Sequence, residues 1–372
     1  MVLTSPGGHG EQGGHSAAGA VTALWCIPVA ELGGVARHVL DATTAGLPGT
    51  RVVVLCPEGP LAAELRARGQ AVLTGPVSPA DGPRAAVAAI RRTLRALRPD
   101  VLHTHLAFAD LTGAAAVRGL RSARGRRIRL VTTEHGISGV AGYYQSGRAS
   151  ATATALAHRA RLRATDAVIA VSSSTAQQLR EQWGAQRIRV IRNGVDAPAA
   201  APAPAPGLRV LSLARLSPEK RIDALLRAFA LVAAEHEQAA LTIAGAGPEE
   251  SALRALVEEL GLTGRVDLPG HVDAEQALAE HDVVAQLSVW ENLSYTLLDA
   301  VAHELGAVAT DVGGNAEIVP PACLVDGEDP AAVAAAIVRQ GLDLAARPVP
   351  GAAQGVEAMC AGIATVYGEV LR

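Results

Sequence analysis

Short apolar runs alternate with helix-period stretches along nearly the whole chain, and that alternation is the sequence form of parallel α/β sheets. Before residue 197 the apolar runs are Ala23–Val29, Arg51–Cys56, Ala71–Thr74, Asp100–Thr104, Arg129–Thr133, Ala167–Val171 and Arg189–Ile191. After residue 207 they are Leu208–Leu213, Ala240–Gly245, Val266–Leu268, Val283–Leu287, Val308–Thr310 and Ala322–Val325. Helical patterns fill the gaps, among them Val35–Ala45, Arg84–Leu97, Ser174–Trp183, Ile222–Ala234, Ser251–Leu260, Thr296–Glu304 and Ala331–Arg339. Between the two sets, residues 197–207 read APAAAPAPAPG, an extended and fairly stiff tract. The expected fold class is α/β, with two doubly wound domains over 21–196 and 208–355 joined by that linker. Residues 1–20, rich in Gly and His, read as a disordered tail in which His9 and His15 are solvated. Ligands of doubly wound sheets bind outside the carboxyl ends of the strands. With two facing domains, that place is the cleft between them.

Composition excludes several classes. With 372 residues, 49% hydrophobic and 19% charged, the chain is globular and too long for one ordinary core. The run Ala20–Ala30 is too short to span a bilayer, and the first 20 residues lack the basic-then-apolar pattern of a signal peptide. Cys26, Cys56, Cys323 and Cys360 form no CxxC pair, so neither a disulfide framework nor a cysteine metal site is expected. A reduced, cytoplasmic protein follows. Aromatics at 2% argue against a nucleic-acid surface built from stacking rings. Two scarcities sharpen the search for chemistry. Lys220 is the only lysine, and Asn193, Asn292 and Asn315 are the only asparagines. Charge is also divided: residues 1–196 carry net +11 and residues 197–372 net −14.

Three segments at strand ends carry site chemistry. Gly33-Gly34-Val35-Ala36-Arg37-His38 opens the first helix, where glycines let backbone approach a ligand and the helix N-terminus offers N–H groups to an anion. A plain strand–helix turn reads equally well from this segment alone. The fingerprint GxGxxG is absent here, and Gly245-Ala246-Gly247 continues into Pro248-Glu249-Glu250, which would repel a pyrophosphate; a nicotinamide dehydrogenase is disfavoured. Arg215 and Lys220 flank the turn after Leu208–Leu213, a bidentate fork and a point charge suited to two phosphates, with Glu219 placed to pair with either. Glu291 and Asp299 lie eight positions apart, the first in a loop and the second on the following helix. Asn292, Leu293 and Ser294 lead into that helix's N-terminus, and both carboxylates suit sugar hydroxyls. Solvated surface roles for Glu291 and Asp299 weigh about evenly from the segment alone.

Taken in order, these and further pieces resemble the family 4 retaining glycosyltransferases of the GT-B fold. The pieces are Gly33-Gly34; Pro99-Asp100-Val101-Leu102-His103-Thr104-His105; Thr132-Thr133-Glu134-His135-Gly136; Asn193-Gly194-Val195-Asp196; Ala214 to Lys220; Gly245 to Pro248; Glu291 to Asp299; and Asp311 to Val319. The segment Val356–Leu371 resembles the terminal helix that crosses back to the first domain, giving a final unit over 356–372. The family has Glu at both ends of the eight-residue spacing. Here the second is Asp299, shorter by one methylene.

The resemblance implies a metal-independent transfer of a hexosyl-type sugar from a nucleotide-diphosphate donor, with no resident cofactor and no metal site. It implies that Gly33 and Gly34 approach the donor phosphates and that Arg215 and Lys220 grip the diphosphate as leaving group. Glu291 would bind the donor sugar, Asp299 the ribose, and His135 would stand near the reacting carbon. His103 and His105 would help form the acceptor side, although a plain strand-end role suits His103. The chain contains no DxD. The first domain would supply most of the acceptor site. Its arginines, Arg118, Arg121, Arg124, Arg126, Arg127, Arg129, Arg148, Arg159, Arg161 and Arg163, suit an anionic lipid or cell-envelope glycan met at the inner membrane surface, although a solvated loop and helix face reads equally well in a chain whose default cation is Arg. The alternatives are a sugar-nucleotide epimerase of similar fold and a non-catalytic nucleotide-binding protein.

Overall fold

The computed structural model describes residues 20–136, 148–199, 202–349 and 355–372, with the side chains of 148–155 excepted. The expected tail, apart from Ala20, and two residues of the expected linker lie outside the described residues.

Two parallel sheets organise the chain. The first contains β1 (Val21–Cys26), β2 (Thr50–Cys56), β3 (Val72–Thr74), β4 (Val101–His105), β5 (Arg129–Glu134), β6 (Ala167–Ala170) and β7 (Ile188–Val190). Its connecting helices are α1 (Gly34–Ala45), α2 (Pro60–Ala67), α3 (Pro83–Leu97), α4 (Ala107–Ala116), α5 (Arg148–Ala164) and α6 (Ser173–Trp183). The second sheet contains β8 (Arg209–Leu213), β9 (Ala240–Ala244), β10 (Val266–Gly270), β11 (Val283–Gln286), β12 (Gly306–Thr310) and β13 (Leu324–Val325). Around it lie α7 (Ile222–Glu235), α8 (Glu250–Glu259), α9 (Ala274–Glu280), α10 (Tyr295–Ala302) and α11 (Pro330–Leu342), and α12 (Val356–Leu371) ends the chain. The first strand was expected to reach Val29 but stops at Cys26, because Pro28 has no N–H for the ladder.

Strand order is β3-β2-β1-β4-β5-β6-β7 in the first sheet and β10-β9-β8-β11-β12-β13 in the second. Each order reverses once, between β1 and β4 and between β8 and β11. At such a point neighbouring connections leave to opposite faces and open a crevice at the strands' carboxyl ends. The two crevices face one another.

Alternation along the strands builds a core on each face. On one side of the first sheet Trp25, Ile27, Val39 and Leu61 pack with Met359, Ile363 and Tyr367 of α12. On the other, Leu24, Leu55, Ile90, Leu94 and Leu102 pack together. Full burial of an Ile or Met side chain contributes about 1.5–3 kcal/mol, so α12 is a structural part of the first sheet's layer. Polar contacts fix its position. Trp25 Nε1 donates to Tyr367 Oη at 2.8 Å, and Asp196 Oδ1 accepts from the Val356 N–H at 2.9 Å. A side chain on Gly194 would run into the backbone of Gly355 and Val356, which explains glycine there.

One part of the expected basic surface is internal. Arg161 is 3% exposed and lies between Asp110, at 3.1 Å, and Glu134. Its Nε donates to His158 Nδ1 at 2.8 Å. A buried guanidinium needs such partners to offset its desolvation. Burial together with the nearby Asp110 charge pushes the Glu134 carboxyl well above its usual range, against the pull of Arg161. Others of the set have local partners: Arg127 and Arg129 share Asp166, and Arg126 donates to the Leu371 carbonyl. The Arg148 side chain lies outside the described residues.

Candidate active site

The facing crevices form a cavity of about 570 Å³. Gly33, Gly34, His135, Arg215, Lys220, Glu291, Asn292, Leu293, Ser294 and Asp299 all line it. They include every residue expected at the donor phosphates, the donor sugar, the ribose or the reacting carbon; His103 and His105, expected on the acceptor side, are not among them. They come from the ends of β1, β5, β8 and β11, the positions where a doubly wound sheet exposes loops to ligand.

Gly33 precedes α1 in an extended conformation, with φ −172°. A methyl group on Gly33 would meet nothing within 4 Å, and one on Gly34 would meet only the Tyr295 ring at 3.8 Å. Neither backbone angle nor crowding by the chain requires glycine at Gly33. Gly136 differs: its φ is +141°, and a Cβ there would overlap the Asn292 side chain. Gly313 and Gly314 sit equally close to the Glu291 and Asn292 carbonyls, and the Gly314 N–H donates to Asn292 O at 2.6 Å. The Asp311–Val319 segment therefore props the Glu291 loop from behind. On α10, Ser294 caps the helix by accepting from the Leu297 N–H at 3.3 Å. It holds its own place by donating to Gln286 Oε1 at 2.7 Å.

The charged groups are already paired. Lys220 Nζ meets Glu291 Oε1, which also accepts from Ser288 Oγ at 2.8 Å. Glu219 pairs with Arg215, at 2.8 Å. Asp299 is 4% exposed and is gripped at both oxygens by Arg37 of α1, with Nη2–Oδ1 at 2.8 Å. The Arg37 guanidinium also lies 4.6 Å above the Tyr295 ring, an arrangement in which ring and cation attract. Burial raises the Asp299 carboxyl pKa, against the hydrogen bond and charge of Arg37.

His135 belongs to a group of buried imidazoles. His105 Nδ1 and His135 Nε2 are 2.9 Å apart, and the ring of His38 stands edge-on to His135 with centroids 4.9 Å apart. His103 does not line the cavity. Both its nitrogens are engaged by side chains, Nδ1 with Tyr367 Oη at 2.6 Å and Nε2 with Thr133 Oγ1 at 2.7 Å. His103 is thus held at the strand end by side chains, where backbone partners were expected. His105 stands behind His135, away from the cavity lining. Burial lowers the pKa of all these rings, that of His38 to about 4 and those of His103, His105 and His135 well below the usual value.

Sequence reasoning missed Arg37, His38 and Tyr295 as site residues. Arg37 and His38 sit three and four residues past Gly34, one helical turn into α1, the spacing that returns to the same face. That signal was present in the segment. Their partners, Asp299 and Asn193, lie 262 and 155 residues away in sequence and only the fold brings them near.

Chemically, the cavity offers two cations beside a turn, two carboxylates and the N-termini of α1 and α10. That set suits a ligand with anionic phosphates at one end and hydroxyls at the other.

Comparison with known proteins gives the same kind of ligand-binding fold. The family model described as Glycosyltransferase Family 4 matches residues 32–197, and the one described as Glycosyl transferases group 1 matches residues 207–341. An exopolysaccharide phosphotransferase of Streptomyces coelicolor is 34% identical over 162 residues, 42% of this chain and 17% of that protein. The phosphatidylinositol N-acetylglucosaminyltransferase GPI3 subunit of Saccharomyces cerevisiae is 32% identical over 114 residues, 30% of this chain and 25% of that protein. The aligned segments thus span a quarter or less of these two relatives' lengths. Among solved structures, Anabaena Alr3699/HepE in complex with UDP-glucose superposes with a TM-score of 0.73 at 20% identity, covering 94% of this chain and 98% of that one.

Proposed function

The chain belongs to the family 4 glycosyltransferases with the GT-B fold, and from that premise we propose that it moves a sugar from a nucleotide-diphosphate donor to an acceptor with retention of anomeric configuration. The observation that carries this reading is the single cavity that collects Gly33, Gly34, Arg215, Lys220, Glu291 and Asp299 from both halves. The binding of UDP-glucose by the structural neighbour supports uridine diphosphate sugars as the first donors to test.

In this mechanism the departing diphosphate gathers negative charge. Arg215, Lys220 and the α1 N-terminal amides stabilise it, each well-placed donor contributing roughly 2.7–4 kcal/mol. No metal is required on the phosphates. The donor takes the Lys220 ammonium away from Glu291, whose oxygens then accept sugar hydroxyls. Asp299 accepts the ribose hydroxyls, and His135 faces the reacting carbon.

For the acceptor we propose an anionic lipid or cell-envelope glycan. Arg159, Arg163 and Arg187 line one surface cleft beside Trp183, and Arg118, Arg127, Arg163 and Arg187 line an adjoining one. Relatives whose names specify an exopolysaccharide and phosphatidylinositol support acceptors of that kind. No helix among the described residues is long and apolar enough to cross a membrane, so contact with a lipid acceptor would be from its surface.

The test is a donor screen. A nucleotide sugar at about 100 times its dissociation constant stabilises the fold by about 2.7 kcal/mol. The stabilising donor should then be consumed only when acceptor is added. Conversion of the donor to an epimer without acceptor would replace transfer by epimerisation. Absence of stabilisation by any nucleotide sugar would end the reading.

A further inference from the structure

We propose that His38, His105 and His135 form a binding site for one divalent transition-metal ion of the zinc class. One ring nitrogen from each lies within 4.8 Å of the other two, and all three side chains are buried. The His105–His135 nitrogen separation of 2.9 Å is near the roughly 3.3 Å that follows from tetrahedral zinc with 2.0–2.1 Å bonds. Imidazole is a preferred ligand for this class of ion.

Two further observations point to a ligand. The Nε2 atom of His38 is buried with no hydrogen-bond partner among the described residues; that of His105 is also without one but lies across the ring from the Nδ1 that faces His135, so it does not count toward the site. A buried orphan polar atom costs about 1–3 kcal/mol and calls for a partner. The tautomer of His38 is also set. Asn193 Nδ2 donates to the Leu293 carbonyl at 3.0 Å, which turns its Oδ1 toward His38 Nδ1 at 3.3 Å. The Nδ1–H therefore donates to Asn193 and the lone pair stays on Nε2, as in metal sites where an outer carbonyl orients the histidine ligand. His103 is excluded because Tyr367 and Thr133 occupy both of its nitrogens. On binding, the proton between His105 and His135 moves to the far nitrogen of its own ring, and the ion takes the lone pairs. His135 also lines the cavity, so a fourth position is open to water from it.

Occupied, the site holds the His135 ring away from a donor sugar, which makes the ion an inhibitor of transfer. That consequence rests on the proposed function, whereas metal binding itself does not. The experiment therefore reads binding directly. The full chain, carrying His9→Ala and His15→Ala to remove the tail imidazoles, is stripped with a chelator and titrated with Co²⁺. One equivalent should produce the intense visible absorption of four-coordinate cobalt, and Zn²⁺ should displace it. His38→Gln and His105→Gln should each weaken binding by more than about a hundredfold, and Asn193→Ala by about 10–100-fold. Weak, octahedral-type absorption or no uptake by the tail-substituted chain overturns the site. So does a signal unchanged in His38→Gln and His105→Gln proteins that melt like the parent. Binding with no inhibition would leave the site standing and count against His135 in transfer.

Discussion

Arg37 of α1 closes a two-point salt bridge on Asp299 of α10, so the carboxylate expected to accept ribose hydroxyls is also the anchor between the first helix of one half and the site helix of the other. Tyr295 supports the guanidinium from one side. Asp299→Asn keeps the shape and removes the charge. It should weaken donor binding about tenfold, roughly 1.4 kcal/mol, with turnover at saturating donor changed far less. Calorimetry on Asp299→Asn and Asp299→Glu checks this; a donor constant unaltered in both variants refutes the ribose assignment.

Lys220 bears on both stability and chemistry. Its side chain is 19% exposed and its partner Glu291 14%, so removing the ammonium leaves a largely buried carboxylate without its ion pair and costs some stability. Lys220→Ala should therefore melt below the parent but remain folded at assay temperature, while kcat falls by about 10²–10³. Lys220→Arg should rescue little, since a planar fork does not replace a compact ammonium. A folded Lys220→Ala protein with parental kcat would remove Lys220 from the diphosphate.

The buried histidines set an acid limit. An unfolded histidine takes up its proton near pH 6.5, and His38 does so only at about 4 in the fold because burial disfavours its charged form. Between those values the unfolded chain binds more protons, so stability is full above about pH 6.5 and falls as pH drops. His38 alone accounts for roughly 3 kcal/mol over that window. Denaturant midpoints should decline from pH 7 to pH 4.5, and His38→Gln should flatten the decline. A midpoint that does not move over this range would contradict neutral burial of these rings.

The basic clefts predict salt-sensitive binding to anionic vesicles. Because Arg126, Arg127 and Arg129 have local partners, the arginines to reverse are Arg163 and Arg187, shared by both clefts. Each should contribute about 1 kcal/mol near an anionic membrane, so Arg163→Glu with Arg187→Glu should reduce binding at least tenfold. Equal sedimentation with neutral and anionic vesicles would dismiss a membrane-held acceptor.

Much of this architecture was legible beforehand because strands buried on both faces lean toward apolar runs, and each run expected from the sequence overlaps a strand. The site residues were legible for a related reason: in doubly wound sheets the useful loops follow strands, so Gly33, Lys220 and Glu291 were marked by position. What stayed hidden depends on distance across the fold. Nothing near Arg161 in the sequence distinguishes it from its exposed neighbours Arg159 and Arg163, yet it is enclosed between Asp110 and Glu134. Nothing near His38 announces Asn193. The bridge from Arg37 to Asp299 likewise joins residues from separate sheets.

The docking of α12 on the first sheet has a mechanical result. The chain leaves the first sheet's layer after Asp196, builds the second sheet, and returns at Val356, where Asp196 itself receives the incoming helix. The second unit is thus an insertion held by two crossings that start and finish beside one another. A single protease cut in either crossing leaves the halves joined through the other.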